Sequence, residues 1–233
     1  MVVQQITDKG SREINEDEML VSNNLFAVFD GVTSLTRFKT KEGKTGGKIA
    51  AEIARQAFSE NQKPVRELFL EASKRLQHTM QKEGIDTSKK AELWGTTVAG
   101  IRLHEKEIEA FGISDSLILF INGDGGYGFP FEMEDLDQPM LQVWKEMAER
   151  KVENIREKVN PMIEKMRTKV NVNYGVLNGE EAAVQFFRTK RMPLESIKTI
   201  LLFTDGFLIP KEDSGKPEDW DLFVDLYKKD GLQ

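Results

Sequence analysis

Apolar residues along this chain change their spacing several times, and each change marks an element. Leu25–Phe29 is an unbroken apolar run, too short for a lone helix and rich in strand formers, which predicts a fully buried strand. Residues 19–22 precede it across Asn23-Asn24, and the two runs together read as a hairpin. An earlier strand is expected over residues 2–7, followed by a turn at Asp8-Lys9-Gly10-Ser11. From Gly46-Gly47 the period becomes helical, with Ile49, Ala50, Ile53, Ala54, Ala57 and Phe58 on one stripe. A second helix is predicted to start at Pro64, a favoured first-turn residue, and to stop at Gly84. Its face carries Val65, Leu68, Phe69, Ala72, Leu76 and Met80.

The period then shortens. Thr97, Ala99, Ile101 and Leu103 alternate with smaller or more polar residues, the mark of a half-buried strand. Residues 108–113 and 117–121 give two more strands, joined by Ser114-Asp115-Ser116, and Asn122-Gly123-Asp124-Gly125-Gly126 makes a turn. Residues 139–160 predict the longest helix, with Leu141, Trp144, Ala148, Val152, Ile155 and Val159 as its apolar face and Pro161 interrupting it. A short helix is expected over 179–188, a buried strand at Ile197–Phe203, and a closing helix with Trp220, Phe223 and Tyr227 after Pro217. Strands, two helices, a run of strands, helices and a strand suit an α+β layered sandwich better than a regular βαβ array. With no repeat or evident linker, residues 1–233 are read as a single domain.

Composition narrows the function classes. At 233 residues and 39% hydrophobic, the chain can bury a sizeable core. It shows no long uncharged apolar run and no basic-then-apolar leader, so no membrane partner is expected and a cytoplasmic protein is the default. A net charge of −6 argues against a nucleic-acid partner. There is no cysteine, which excludes disulfides, thiolate nucleophiles and sulfur-ligated zinc. His78 and His104 are the only histidines, and both read as surface or packing residues. Catalysis, if present, must rest on carboxylates and hard cations.

The carboxylates have a pattern. Two buried strands end in Asp-Gly, at Asp30-Gly31 and at Asp205-Gly206, and Asp115 precedes a third strand. The acidic stretch Glu16-Asp17-Glu18 lies one hairpin from Asp30. A single Asp-Gly is an ordinary turn and a single charge run an ordinary solvated loop. Several such groups at one edge of a sandwich would repel one another unless cations sat between them. Oxygen-only donors select magnesium or manganese, and an ion pair about 3.5–4 Å apart can clamp a phosphate.

Five segments in order resemble the motifs of the type 2C metal-dependent protein serine/threonine phosphatases: Lys9-Gly10-Ser11-Arg12-Glu13-Ile14-Asn15-Glu16-Asp17, Phe26-Ala27-Val28-Phe29-Asp30-Gly31, Trp94-Gly95-Thr96-Thr97, Gly112-Ile113-Ser114-Asp115-Ser116 and Leu202-Phe203-Thr204-Asp205-Gly206. The resemblance implies a four-layer αββα sandwich, two antiparallel β-sheets flanked by helices, with a two-metal site at one edge. It implies that Asp30 bridges two Mn2+ or Mg2+ ions, that the Gly31 carbonyl binds one of them, that Glu16 holds the second and Asp205 the first. Asp115 with Asp205 would hold a looser third ion, Arg12 would bind the substrate phosphate, and Asp17 would steady waters or Arg12. The implied partner is a phosphoprotein or phosphopeptide; oligomeric state is left open.

The chain departs from the family pattern in three places. Val32 stands where some members carry a histidine. Residues 32–44, with Arg37, Lys39, Lys41 and Lys44, lengthen the usual tight turn and delay Gly46-Gly47; they either guide an anionic substrate or keep a loop solvated. The family's final Asp-Asn or Asp-Asp strand has no counterpart among Asp213, Asp219, Asp221, Asp225 and Asp230, which is expected of a truncated form more than of a true loss. The alternative function is a phosphatase-like binding or regulatory module without turnover. An aspartate-nucleophile phosphatase of the haloacid-dehalogenase kind would need a second aspartate where Val32 stands, and parallel strands.

Overall fold

The computed structural model describes residues 1–33, 35, 38–133, 138–211, 213 and 215–232, the side chains of 138 and 139 excepted. In chain order the strands are β1 (Glu18–Val21), β2 (Leu25–Phe29), β3 (Gly31–Val32), β4 (Gly95–Thr96), β5 (Val98–Leu103), β6 (Glu107–Ile113), β7 (Leu117–Asn122), β8 (Tyr127–Gly128), β9 (Arg188–Pro193) and β10 (Ile197–Phe203). The helices are α1 (Gly46–Ser59), α2 (Val65–Lys82), α3 (Gln138–Glu149), α4 (Ile155–Arg167) and α5 (Trp220–Asp230).

Every residue of β2 is buried because the strand is covered on both faces. Leu25, Ala27 and Phe29 point into a core under α1 and α2, while Phe26 and Val28 point into a second core between the sheets. The first sheet runs β1-β2-β5-β6-β9 and the second β10-β7-β8, with all pairings antiparallel. A third core, built from Leu119, Ile121, Leu201, Phe203, Phe223 and Val224, joins the second sheet to α5. Three cores in series make the four layers, helix–sheet–sheet–helix, that the sequence resemblance implied. Antiparallel pairing of all the named strands also removes the haloacid-dehalogenase reading, which needs parallel strands and crossovers.

The two early helices follow their stripes. Phe58 of α1 lies 5.7 Å from Phe29 and stacks 5.4 Å from Phe111, fastening the helix to both β2 and β6. Thr45 caps α1 by accepting the Lys48 N–H at 3.2 Å. Gly84 follows α2 at φ +74, a left-handed exit that glycine takes without strain.

Three expectations fail. Residues 2–7 form no strand and lie exposed; Val2, Val3 and Ile6 find no core to offset the entropy of ordering them. The single helix over 139–160 is two helices, broken where Lys151 (φ 54) and Asn154 (φ 55) turn left-handed, whereas Pro161 sits inside α4. The apolar spacing runs in phase across that break, which is why periodicity missed it. Residues 179–188 hold only a 3-10 turn, Glu181–Gln185, before β9. That strand was not foreseen because Arg188-Thr189-Lys190-Arg191 is polar, as suits a charged edge strand.

Candidate active site

Strand register brings the aspartates together. Glu18 lies opposite Phe29 across the β1–β2 pair, so Asp17 and Asp30, one step beyond, face each other at the end of that hairpin. Phe203 lies opposite Leu117 across β10 and β7, so Asp205 and Asp115 face each other at the end of the second sheet in the same way. The two ends meet: Thr204 donates from Oγ1 to Asp17 Oδ2 at 3.1 Å, and Asp30 shares a hydrogen bond with Asp205. Each sheet therefore supplies two carboxylates to one edge of the sandwich.

The backbone around Asp30 is fixed from several sides. Its carbonyl accepts from Thr97 N–H at 2.9 Å and from Thr96 Oγ1 at 2.8 Å. Gly31 begins β3, which pairs with β4. A Cβ on Gly31 would lie 2.6 Å from the Gly47 carbonyl carbon and 2.8 Å from the Glu16 carbonyl oxygen, so three backbones converge where only glycine fits. Gly46-Gly47 thus reach the site despite the long connection before them. Trp94 fills the space over Gly46, and Phe38 packs on that indole at 4.6 Å. Lys48 of α1 reaches the Asp17 carbonyl at 3.0 Å and steadies the acidic stretch.

Electrostatics follow from this crowding. Burial pushes the Asp30 carboxyl up to about 9, and the charges of Asp205, Asp17 and Asp115 push the same way. Burial also raises Asp17; hydrogen bonds from Thr204 and Asp30 and the charge of Arg12 pull against it, while Asp205 adds to the rise. Carboxylates that repel one another at a half-buried edge are a donor set suited in chemistry to a hard divalent cation. As the side chains stand, no three acidic, histidine or cysteine groups among the described residues are gathered closely enough to hold a metal ion.

Glu16 takes a different place. It is 6% exposed, and its Oε2 accepts from Arg12 Nη1 at 2.9 Å and from Thr33 Oγ1 at 3.0 Å. Its Oε1 accepts from the hydroxyl of Thr45, the cap of α1, whose amide-rich end favours a negative charge. Arg12 also donates to the Thr33 hydroxyl, and its side chain is 59% exposed beside the aspartates. The sequence-expected residues therefore form two adjoining groups: Asp17, Asp30, Asp115 and Asp205 in one, Arg12 and Glu16 in the other.

Thr33, Thr45 and Thr204 were not anticipated. Thr204 stands directly before Asp205 at a strand end, a position that could have flagged it; Thr33 and Thr45 carry no such signal. Of the basic loop, Lys39 pairs with Glu13 at 3.0 Å and Lys44 with Glu52 at 2.6 Å; Arg37 lies outside the described residues. His104 lies 3.5 Å from Glu109, away from the aspartates. Asp213 pairs with Lys145, Asp219 caps α5 and Asp221 accepts from the Tyr127 hydroxyl.

A family model described as protein phosphatase 2C matches residues 11–229. The chain belongs to that family. The fold agrees: the catalytic domain of the serine/threonine phosphatase PstP, in complex with two manganese ions, superposes with a TM-score of 0.59 at 15% identity, covering 93% of this chain and 79% of that one. The serine/threonine phosphatase Stp1 from Staphylococcus aureus gives 0.58 at 16%, covering 97% and 87%. PppA of Pseudomonas aeruginosa, a regulatory component of T6SS, gives 0.51 at 15%, covering 84% and 72%. No curated protein matches significantly in sequence. Among the described residues, no helix is long and apolar enough to cross a membrane.

Proposed function

We propose that this chain is a metal-dependent phosphoprotein phosphatase that hydrolyses phosphoserine and phosphothreonine. The observation that carries the reading is the meeting of Asp17 and Asp30 from one sheet with Asp115 and Asp205 from the other. Family membership and the two manganese ions in the PstP structure support it.

In this reading Asp30, the Gly31 carbonyl and Asp205 would hold the divalent cations of the reaction, and Asp115 with Asp205 would hold a further, looser one. Glu16 was the residue implied for the second ion; its contacts with Arg12, Thr33 and Thr45 favour Asp17 for the place next to Asp30, with Glu16 orienting the arginine. Manganese or magnesium bound there would supply Lewis acidity for transfer of a phosphoryl group to water. Arg12 then binds the phosphate dianion, and its planar fork fixes the orientation of two phosphoryl oxygens. Thr96 and Thr97 keep the Asp30 backbone still, so that its carboxylate is positioned before substrate arrives. Val32 has no proton to give a leaving group and His104 lies by Glu109, away from the aspartates, so this reading assigns protonation of the serine or threonine alkoxide to water.

The test is hydrolysis of p-nitrophenyl phosphate and of a phosphothreonine peptide with added manganese or magnesium. Asp30→Asn and Asp205→Asn are expected to lower kcat/KM at least about 100-fold, the scale of losing a group that stabilises transition-state charge. Activity that persists in both variants, or survives complete chelation, overturns the assignment. A wild-type protein that binds manganese yet cleaves neither substrate is the phosphatase-like binding or regulatory module instead.

A further inference from the structure

We propose that Thr33 is a positioning residue for Arg12, and that it couples the end of α4 to that arginine; this rests on Arg12 being the phosphate binder. The need for such a residue comes from the location of Arg12. It sits in a segment without regular structure, held locally by one turn in which its N–H donates to the Lys9 carbonyl at 3.2 Å. Its side chain is 59% exposed. A long guanidinium side chain in that setting has many rotamers, and a phosphate site needs one of them.

Two contacts restrict it. Arg12 Nη1 donates to Glu16 Oε2 and also to the Thr33 hydroxyl, which in turn donates to the same Glu16 oxygen. A hydroxyl both accepts and donates, so threonine or serine closes this triangle and valine, of the same shape, cannot. Glu16 is held on its other oxygen by Thr45, so the triangle is anchored to the start of α1. The position of residue 33 relative to Asp30 is fixed by β3, which ends at Val32.

The backbone of Thr33 makes the second connection. Its carbonyl accepts from Arg167 Nη2 at 3.0 Å, across a part-buried contact, and Arg167 is the last residue of α4. The α3–α4 pair lies outside the four layers, and this bond ties it to the residue that orients the phosphate-binding arginine. A displacement of α4 therefore moves Thr33, and with it Arg12.

The experiment compares wild type, Thr33→Ser, Thr33→Val and Arg167→Ala, with manganese present. Thr33→Val is expected to raise KM for p-nitrophenyl phosphate and the inhibition constant of inorganic phosphate roughly tenfold, the scale of one charge-assisted hydrogen bond. Thr33→Ser restores both to within about twofold, and manganese affinity stays that of wild type in each. Independently of turnover, the Arg12 Nε–H NMR signal, assigned by its loss in Arg12→Lys, is discrete in wild type and Thr33→Ser, exchange-averaged in Thr33→Val and shifted in Arg167→Ala. Thr33→Val with wild-type phosphate inhibition and an unchanged Arg12 signal overturns the positioning role, as does Thr33→Ser behaving like valine. An unshifted signal in Arg167→Ala overturns the coupling to α4. Absent turnover in wild type counts against the phosphatase reading alone, because the NMR arm still decides the role of Thr33.

Discussion

At Asp30, burial and three neighbouring acids act in the same direction, so the folded protein without metal holds a proton there that the unfolded chain releases. The ordinary value is 3.8 and the folded value about 9. Between those limits the folded state binds more protons, so stability is fullest at the acid end of the window and declines as pH climbs towards 9. Asp30→Asn removes the penalty. In the presence of chelator, its Tm is expected to exceed that of wild type by several degrees at pH 8 and by little at pH 5, about 1 kcal/mol corresponding to roughly 2–4 °C in a chain of this size. A variant melting in parallel with wild type across that range would contradict the burial and repulsion assigned to Asp30. Since a cation displaces the same proton, manganese affinity should rise with pH across the same window, which calorimetry at several pH values can check.

Among the elements, β2, α1 and the β6–β7 turn carry the site, and their packing can be tested without chemistry. Phe58→Ala removes a fully buried ring lying between Phe29 and Phe111, and is expected to cost about 3–5 kcal/mol by urea unfolding. Gly31→Ala places a methyl 2.6 Å from the Gly47 backbone, so the β3–α1 junction must shift; we expect about 1–3 kcal/mol lost and turnover impaired with it. Unchanged stability in Gly31→Ala would mean that the three backbones do not meet as described. These elements were the legible ones. The α1 stripe and the buried run of β2 show in the sequence because each has a covered face that fixes its period. The charged edge strand β9 and the break between α3 and α4 do not show, because one has no apolar period and the other keeps its period across a left-handed turn. Asp30 and Asp205 were readable as Asp-Gly pairs at strand ends. The threonines that bind Glu16 were not, since a hydroxyl contact between distant segments leaves no local pattern.

For the molecule as a whole, the site exists only when both sheets are assembled, because each contributes two of the four aspartates. If the proposed site takes a cation, its binding is linked to global folding, so saturating manganese should raise the Tm of wild type and much less that of Asp205→Asn. The six-residue ladder between β10 and β7 sets that assembly, since it carries Asp205 to Asp115. The most direct test of the central claim is the count of manganese ions bound per chain, read by electron paramagnetic resonance titration of wild type and Asp30→Asn. The account predicts two tightly bound ions in wild type and loss of both in Asp30→Asn, the residue placed between them. The same number and affinity in the two proteins would contradict it.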